Sequence, residues 1–220
     1  MKRLSDLLKQ IKPLQVVGSC EREVRALSFD SREVGEGYCF FAVRGTQVDG
    51  HNFIAKATDA GASVVVCETL PEALNEQVSY VVVEDSTAAM ADIAAAFYDN
   101  PSHALTLVGV TGTNGKTTIA TLLYDMFTAL GYRAGLISTV VYRVGSKTLT
   151  STHTTPDVIR LNAMLREMVD EGCTHCFMEV SSLCVVQQRI RGLRFRGGAF
   201  TNLTHDHLDY PGTLAEYIKA

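Results

Sequence analysis

Apolar positions in this chain follow two rhythms. Residues 24–29 and 38–43 form short β-like runs, and the continuous apolar runs at 64–67 and 80–83 are bounded by polar residues, as in strands covered on both faces. Residues 4–11 predict a short helix, and 30–37 (Asp-Ser-Arg-Glu-Val-Gly-Glu-Gly) a turn-rich loop. A helix over 52–59 ends at Gly61, which suits the left-handed position after a helix. Ser86 or Thr87 is placed to cap an alanine-rich helix running to about residue 98. Pro101 then biases Asn100 away from helix, and a domain boundary is expected near residue 103.

Beyond it, 105–110 reads as an apolar strand. The helix that follows carries Ile119, Leu122, Leu123, Met126, Phe127 and Leu130 at three- and four-residue spacing and stops at Gly131. Runs at 134–141 and 174–180 predict strands with a helix over 158–171 between them, and 198–202 a further strand. Alternation of this kind predicts an α/β protein with a mostly parallel sheet, in two parts, 1–103 and 104–220.

Composition narrows the function classes. The 220 residues are 46% hydrophobic, enough for a core without staples. A net charge of −4 with no basic block argues against general nucleic-acid binding and polybasic membrane binding. No apolar run approaches the roughly 20 residues of a membrane span, and the basic start lacks the apolar stretch of a signal peptide. The six cysteines lie mostly in apolar runs, which points to buried thiols in a reducing compartment, the cytoplasm. Cys173 and Cys176 have CxxC spacing, but no second pair completes a zinc set.

The sharpest chemical signal is Gly109-Val110-Thr111-Gly112-Thr113-Asn114-Gly115-Lys116-Thr117-Thr118. It misses the strict phosphate-loop spacing by one position, since Val110 stands where the first glycine belongs. The physics is unchanged. A strand ends, small residues let backbone N–H groups wrap phosphate oxygens, and a helix N-terminus adds its positive end. Lys116 reaches β- and γ-phosphates, and the Thr117 hydroxyl suits Mg²⁺. A glycine-rich strand-to-helix turn is the plain alternative.

This loop resembles the ATP site of the Mur ligases, which build the cytoplasmic precursor of bacterial peptidoglycan. Other segments agree in order: Phe29-Asp30-Ser31-Arg32, then Phe40-Phe41-Ala42-Val43-Arg44-Gly45 and Asp49-Gly50-His51; His153-Thr154-Thr155-Pro156-Asp157; Met178-Glu179-Val180-Ser181-Ser182; and residues 202–210. Within the family they are most similar to the branch adding the third peptide residue. The resemblance implies a small UDP-binding α/β domain over 1–103, followed by an incomplete P-loop ATPase domain over 104–220. It implies ATP-dependent addition of meso-diaminopimelate or L-lysine to UDP-N-acetylmuramoyl-L-alanyl-D-glutamate through an acyl phosphate.

Carried over position by position, the resemblance assigns Lys116, Glu179 and His207 to catalysis, and Gly112, Thr113, Asn114, Gly115, Lys116, Thr117 and Thr118 to ATP. It gives Mg²⁺ to Thr117, Glu179 and His207. The muramoyl-dipeptide falls to Thr154, Thr155, Ser181, Gln187 and Arg189, and the uridine diphosphate to Phe29, Ser31, Gln47 and Val48. Leu183 and Pro211 stand where the family usually has histidine. The family has three domains, so Ala220 is expected to fall inside the second, and Tyr217-Ile218-Lys219-Ala220 fits the Tyr-x-x-Ala segment that precedes the family's carbamylated lysine. The expectation is a piece that binds the UDP-sugar without ligating. Two alternatives remain: another Mur-type ligase, or a metal-dependent hydrolase built on His205, His207 and Asp209.

Overall fold

The computed structural model describes residues 1–45, 48–151 and 153–204. The chain divides into two units, Met1–Phe97 and Tyr98 onward. The first contains β1 (Lys2–Arg3), α1 (Leu4–Leu7), β2 (Gln15–Val17), β3 (Glu23–Val24), β4 (Ala26–Ser28), β5 (Tyr38–Phe41), α2 (Ile54–Asp59), β6 (Ala62–Cys67), β7 (Ser79–Val82) and α3 (Ser86–Phe97). Among the described residues its main sheet has five strands in the order β2-β7-β6-β5-β4. β4 to β7 run parallel, and β2 closes one edge antiparallel.

The continuous apolar runs are explained by two covered faces. Phe40, Val65, Cys67 and Tyr80 join Ile54 and Ala57 of α2 in one cluster. Phe41, Val64 and Val66 are equally buried, and α3 packs on β5 and β6. The cap of α3 differs from the expectation. The Asp85 carboxylate accepts from the Ala88 N–H at 2.9 Å, while the Ser86 hydroxyl turns away to donate to Glu68 at 2.9 Å. Asp85 is one of the strongest N-cap types, and Glu68 at the end of β6 draws Ser86 off the helix end.

The second unit contains β8 (Thr106–Thr111), α4 (Lys116–Ala129), β9 (Ala134–Ile137), β10 (Val141–Val144), β11 (Lys147–Thr150), α5 (Val158–Asp170), β12 (His175–Glu179), α6 (Ser182–Val186) and β13 (Gly197–Phe200). Its described strands form a sheet in the order β11-β10-β9-β12-β8-β13. β9, β12, β8 and β13 are parallel, while β10 and β11 form an antiparallel hairpin at one edge. The strand–helix alternation therefore yields the α/β, mostly parallel architecture expected.

Two local expectations are corrected. The run 134–141 is not one strand. Ser138 is fully buried, and its hydroxyl donates to the Val141 carbonyl at 2.8 Å and accepts the Val141 N–H at 3.2 Å. This closes a tight turn that puts Thr139 and Val140 at a hairpin tip. The apolar stripe of α4 also splits. Ala120, Leu123, Tyr124 and Phe127 face the sheet, whereas Leu122, Met126 and Leu130 are 58%, 49% and 67% exposed. At 3.6 residues per turn the two sets lie about a quarter-turn apart, so one sheet cannot cover both.

Candidate functional site

The phosphate loop leaves β8 and enters α4. Gly112 and Gly115 take φ of +128° and +87°, a region open chiefly to glycine. Their reasons differ. A side chain on Gly112 would run into the Thr201 hydroxyl and the Asn202 carbonyl, whereas Gly115 faces open space. The segment after β13 holds the loop. The Thr113 N–H donates to the Asn202 carbonyl at 2.8 Å and the Asn114 N–H to the Asn202 side-chain oxygen at 3.0 Å. In return Thr201 Oγ1 and Asn202 Nδ2 donate to the Asn114 carbonyl at 2.6 and 3.0 Å.

Those two amides are thus committed within the protein. The donors left for an anion are the first amides of α4, at Lys116, Thr117 and Thr118, where no described side chain caps the helix. Lys116 folds back, its Nζ donating to the carbonyls of Gly112 at 2.7 Å and Thr113 at 2.9 Å. To meet a phosphate it exchanges these carbonyls for charged oxygens.

Glu179 ends β12. Register pairs it with Val110, so it lies at the same sheet end as the loop. It is 1% exposed. A carboxylate so buried needs donors, and both come from Thr139 at the hairpin tip: its N–H reaches Oε1 at 2.7 Å and its hydroxyl Oε2 at 3.1 Å. The Thr139 oxygen also lies 3.1 Å from the Thr154 hydroxyl. Since the Thr139 proton is drawn to the carboxylate, Thr154 is the natural donor to Thr139. Thr155 donates to the Glu179 backbone carbonyl at 2.8 Å.

Thr154, Thr155, Ser181 and Arg189 line one cavity of about 320 Å³ with Thr139, Ser151, His153 and Leu183. The structure thus brings these four expected substrate residues together. Arg189 is partly committed already, donating to the Thr155 carbonyl at 2.5 Å and to Gln187 at 2.9 and 2.5 Å. Gln187 therefore orients Arg189. Ser181 accepts the Cys184 N–H at 3.2 Å as the cap of α6. Thr139 was missed in the sequence because it sat inside an apparent strand.

In the first unit, Phe29, Ser31 and Val48 line a second cavity, of about 540 Å³, with Asp30, Arg32 and Phe53. Phe29 and Val48 are 45% and 55% exposed, which leaves an apolar wall open to a flat ring. Ser31 is buried, and its hydroxyl has no partner among the described residues. The Arg32 guanidinium forks onto both Asp30 oxygens, and this pairing holds the Asp30 carboxyl down at about 2. Gln47, His205, His207, Asp209 and Pro211 lie outside the described residues.

The Mur ligase middle domain matches residues 110–220, half of the chain, and the Mur ligase family catalytic domain matches residues 23–98. The chain belongs to the Mur ligase family. It is 51% identical over 218 residues to the UDP-N-acetylmuramoyl-L-alanyl-D-glutamate--2,6-diaminopimelate ligase of Phocaeicola vulgatus, covering 99% of this chain and 45% of that protein. The ligase of the same name from Cytophaga hutchinsonii is 53% identical over 219 residues, with the same coverage. A solved structure bearing that ligase name superposes with a TM-score of 0.81 at 27% identity, over 99% of this chain and 43% of that one. The chain spans a little under half the length of the curated relatives it matches. Their name is that of the branch to which the motifs pointed.

Mg²⁺ fits the donors this Mur ligase chain presents. Mg²⁺ takes few protein oxygens and keeps waters and phosphate oxygens. One buried carboxylate, Glu179, and the Thr117 hydroxyl meet that need. Among the described residues no cluster of three His, Cys, Asp or Glu side chains could hold a metal. Cys173 and Cys176 are buried free thiols, and burial raises both above an ordinary thiol, Cys176 far above it. No helix among the described residues is long and apolar enough to cross a membrane.

Proposed function

We propose that the chain supplies the nucleotide-sugar and ATP-binding parts of an ATP-dependent ligase. The reaction is addition of an amino acid to UDP-N-acetylmuramoyl-L-alanyl-D-glutamate, and the relatives' names favour 2,6-diaminopimelate. The observation that carries this reading is the juxtaposition at one sheet end of an anion-binding helix start and a buried, hydrogen-bonded carboxylate, Glu179. Phosphoryl transfer demands positioning and charge neutralisation rather than covalent help.

In this reading the amides of 116–118 and the Lys116 ammonium hold the ATP phosphates. The substrate carboxylate lies against Thr154, Thr155 and the remaining N–H groups of Arg189. An oxygen of that carboxylate attacks the γ-phosphorus, the bond to ADP breaks, and an acyl phosphate forms. The incoming amine then attacks the acyl carbon, loses a proton and expels phosphate, leaving an amide. Bound Mg²⁺, held by Thr117 and Glu179, supplies charge neutralisation for the phosphate oxygens. Thr139 keeps Glu179 aimed throughout.

Binding tests this more directly than turnover. Calorimetric titration of the chain with UDP-N-acetylmuramoyl-L-alanyl-D-glutamate, and separately with ATP and Mg²⁺, is expected to show both binding. Ser31→Ala is expected to weaken the first by about fivefold, the worth of one hydrogen bond, and to leave the second unchanged. A folded chain that binds neither would sink the reading.

A further inference from the structure

The cavity beside β4 and β5 has three charged residues on its walls, and they are not equivalent. Arg32 has the strongest formal claim on a phosphate, yet its Nε and Nη2 are spent on Asp30 at 2.5 to 3.1 Å, and its backbone N–H donates there too at 2.9 Å. Asp30 cancels its charge. The nearby Arg44, outside the cavity lining, is likewise engaged, with Glu68 at 3.1 Å. Lys56 is different. It stands on α2, borders the same cavity, and its ammonium has no hydrogen-bond or ion-pair partner among the described residues. Its charge reaches the pocket, because it helps to depress Asp30.

The net positive charge of the cavity is therefore that of Lys56. It shares the cavity with Ser31, a residue 8% exposed whose hydroxyl has no partner among the described residues, and with the apolar side chains of Phe29, Phe53 and Val48. An apolar wall for a base, a hydroxyl on a largely buried serine and one uncommitted ammonium together match a nucleoside diphosphate. We infer that Lys56, and not Arg32, is the cation that receives the diphosphate in this cavity, and that it sets the preference for a diphosphate over the bare nucleoside. A lysine suits this role as a point charge on a flexible stem with three rotatable donors. The inference rests on the reading that this cavity takes the UDP end of the substrate.

The test is calorimetric titration of the chain, Lys56→Met and Lys56→Arg with UDP, UMP and uridine. Lys56→Met is expected to weaken UDP by about tenfold while uridine stays within roughly twofold, and Lys56→Arg to restore most of the loss. The UDP affinity of the unmodified chain should fall with added salt, and that of Lys56→Met less steeply. Equal UDP binding by the unmodified chain and Lys56→Met overturns this inference and leaves the function reading intact. Failure of a folded chain to bind both UDP and uridine overturns the two together.

Discussion

The two candidate sites of this molecule are built on opposite plans. Around the phosphate loop the polar groups satisfy one another: Thr113 and Asn114 bond to Asn202, Lys116 bonds to its own loop, and Glu179 is held by Thr139. Beside β4 and β5 the cavity keeps the Ser31 hydroxyl and the Lys56 ammonium, neither with a partner among the described residues, beside an open apolar wall. The first plan gives a shape that persists without ligand, and its ligand must displace internal bonds. The second holds donors in reserve, and its ligand adds bonds without breaking any. A site that orders reacting groups gains from the former, and a site that only captures substrate from the latter.

The largest expected effect separates the two glycines of the loop. Gly112→Ala combines a left-handed backbone with collision against 201–202, and is expected to cost the second unit about 3 kcal/mol in urea denaturation. Gly115→Ala faces open space and should cost about 1 kcal/mol, from backbone strain alone. Equal losses would show that the loop is not clamped from behind by 201–202.

Next comes the clamp on Glu179. Thr139→Val removes a hydroxyl donor from a buried carboxylate and is expected to destabilise by about 2 kcal/mol, with Thr139→Ser recovering most of it. Stability of Thr139→Val equal to the unmodified protein would mean that Glu179 finds another donor.

The smallest effect lies in the open cavity, at its one closed pair. Asp30 titrates at about 2 instead of 3.8 because Arg32 bonds it. A carboxyl lowered on folding contributes stability that is full above its unfolded value and lost as pH falls through the folded one. Arg32→Gln should therefore raise the Asp30 titration toward 3.8, followed by carboxyl NMR, and flatten the acid slope of stability between roughly pH 4 and pH 2. The change will be small, since the Arg32 side chain is 78% exposed and screened.

Periodicity and end signals made the elements legible. The alternation of apolar runs with amphipathic helices predicted the parallel sheets, and Gly61 and Gly131 ended their helices as left-handed residues do. What escaped were choices made between competing polar partners. Ser86 looks like a cap until Glu68, far away in sequence, takes its hydroxyl. Ser138 reads as one more strand residue until its side chain closes a turn, and no glycine or asparagine marks that turn. Thr139 was hidden by the same misreading. Lys116 was legible as a cation but not as one already engaged, because both its partners are backbone carbonyls that no side-chain pattern records; Arg189 is engaged likewise by the Thr155 carbonyl, and also by the nearby Gln187 side chain. Lys56 lay in a helix that the pattern assigned to structure alone.

The strand order of the second sheet has a consequence for synthesis. β8, which carries the phosphate loop, has as its neighbours β12 and β13, both made long after it, while β9, the next strand in the chain, reaches β8 only through β12. Pairings so distant in sequence form slowly, and domains generally fold as units during translation. A nascent chain therefore carries its glycine-rich loop without the hydrogen bonds that hold it from behind until Thr201 and Asn202 have left the ribosome.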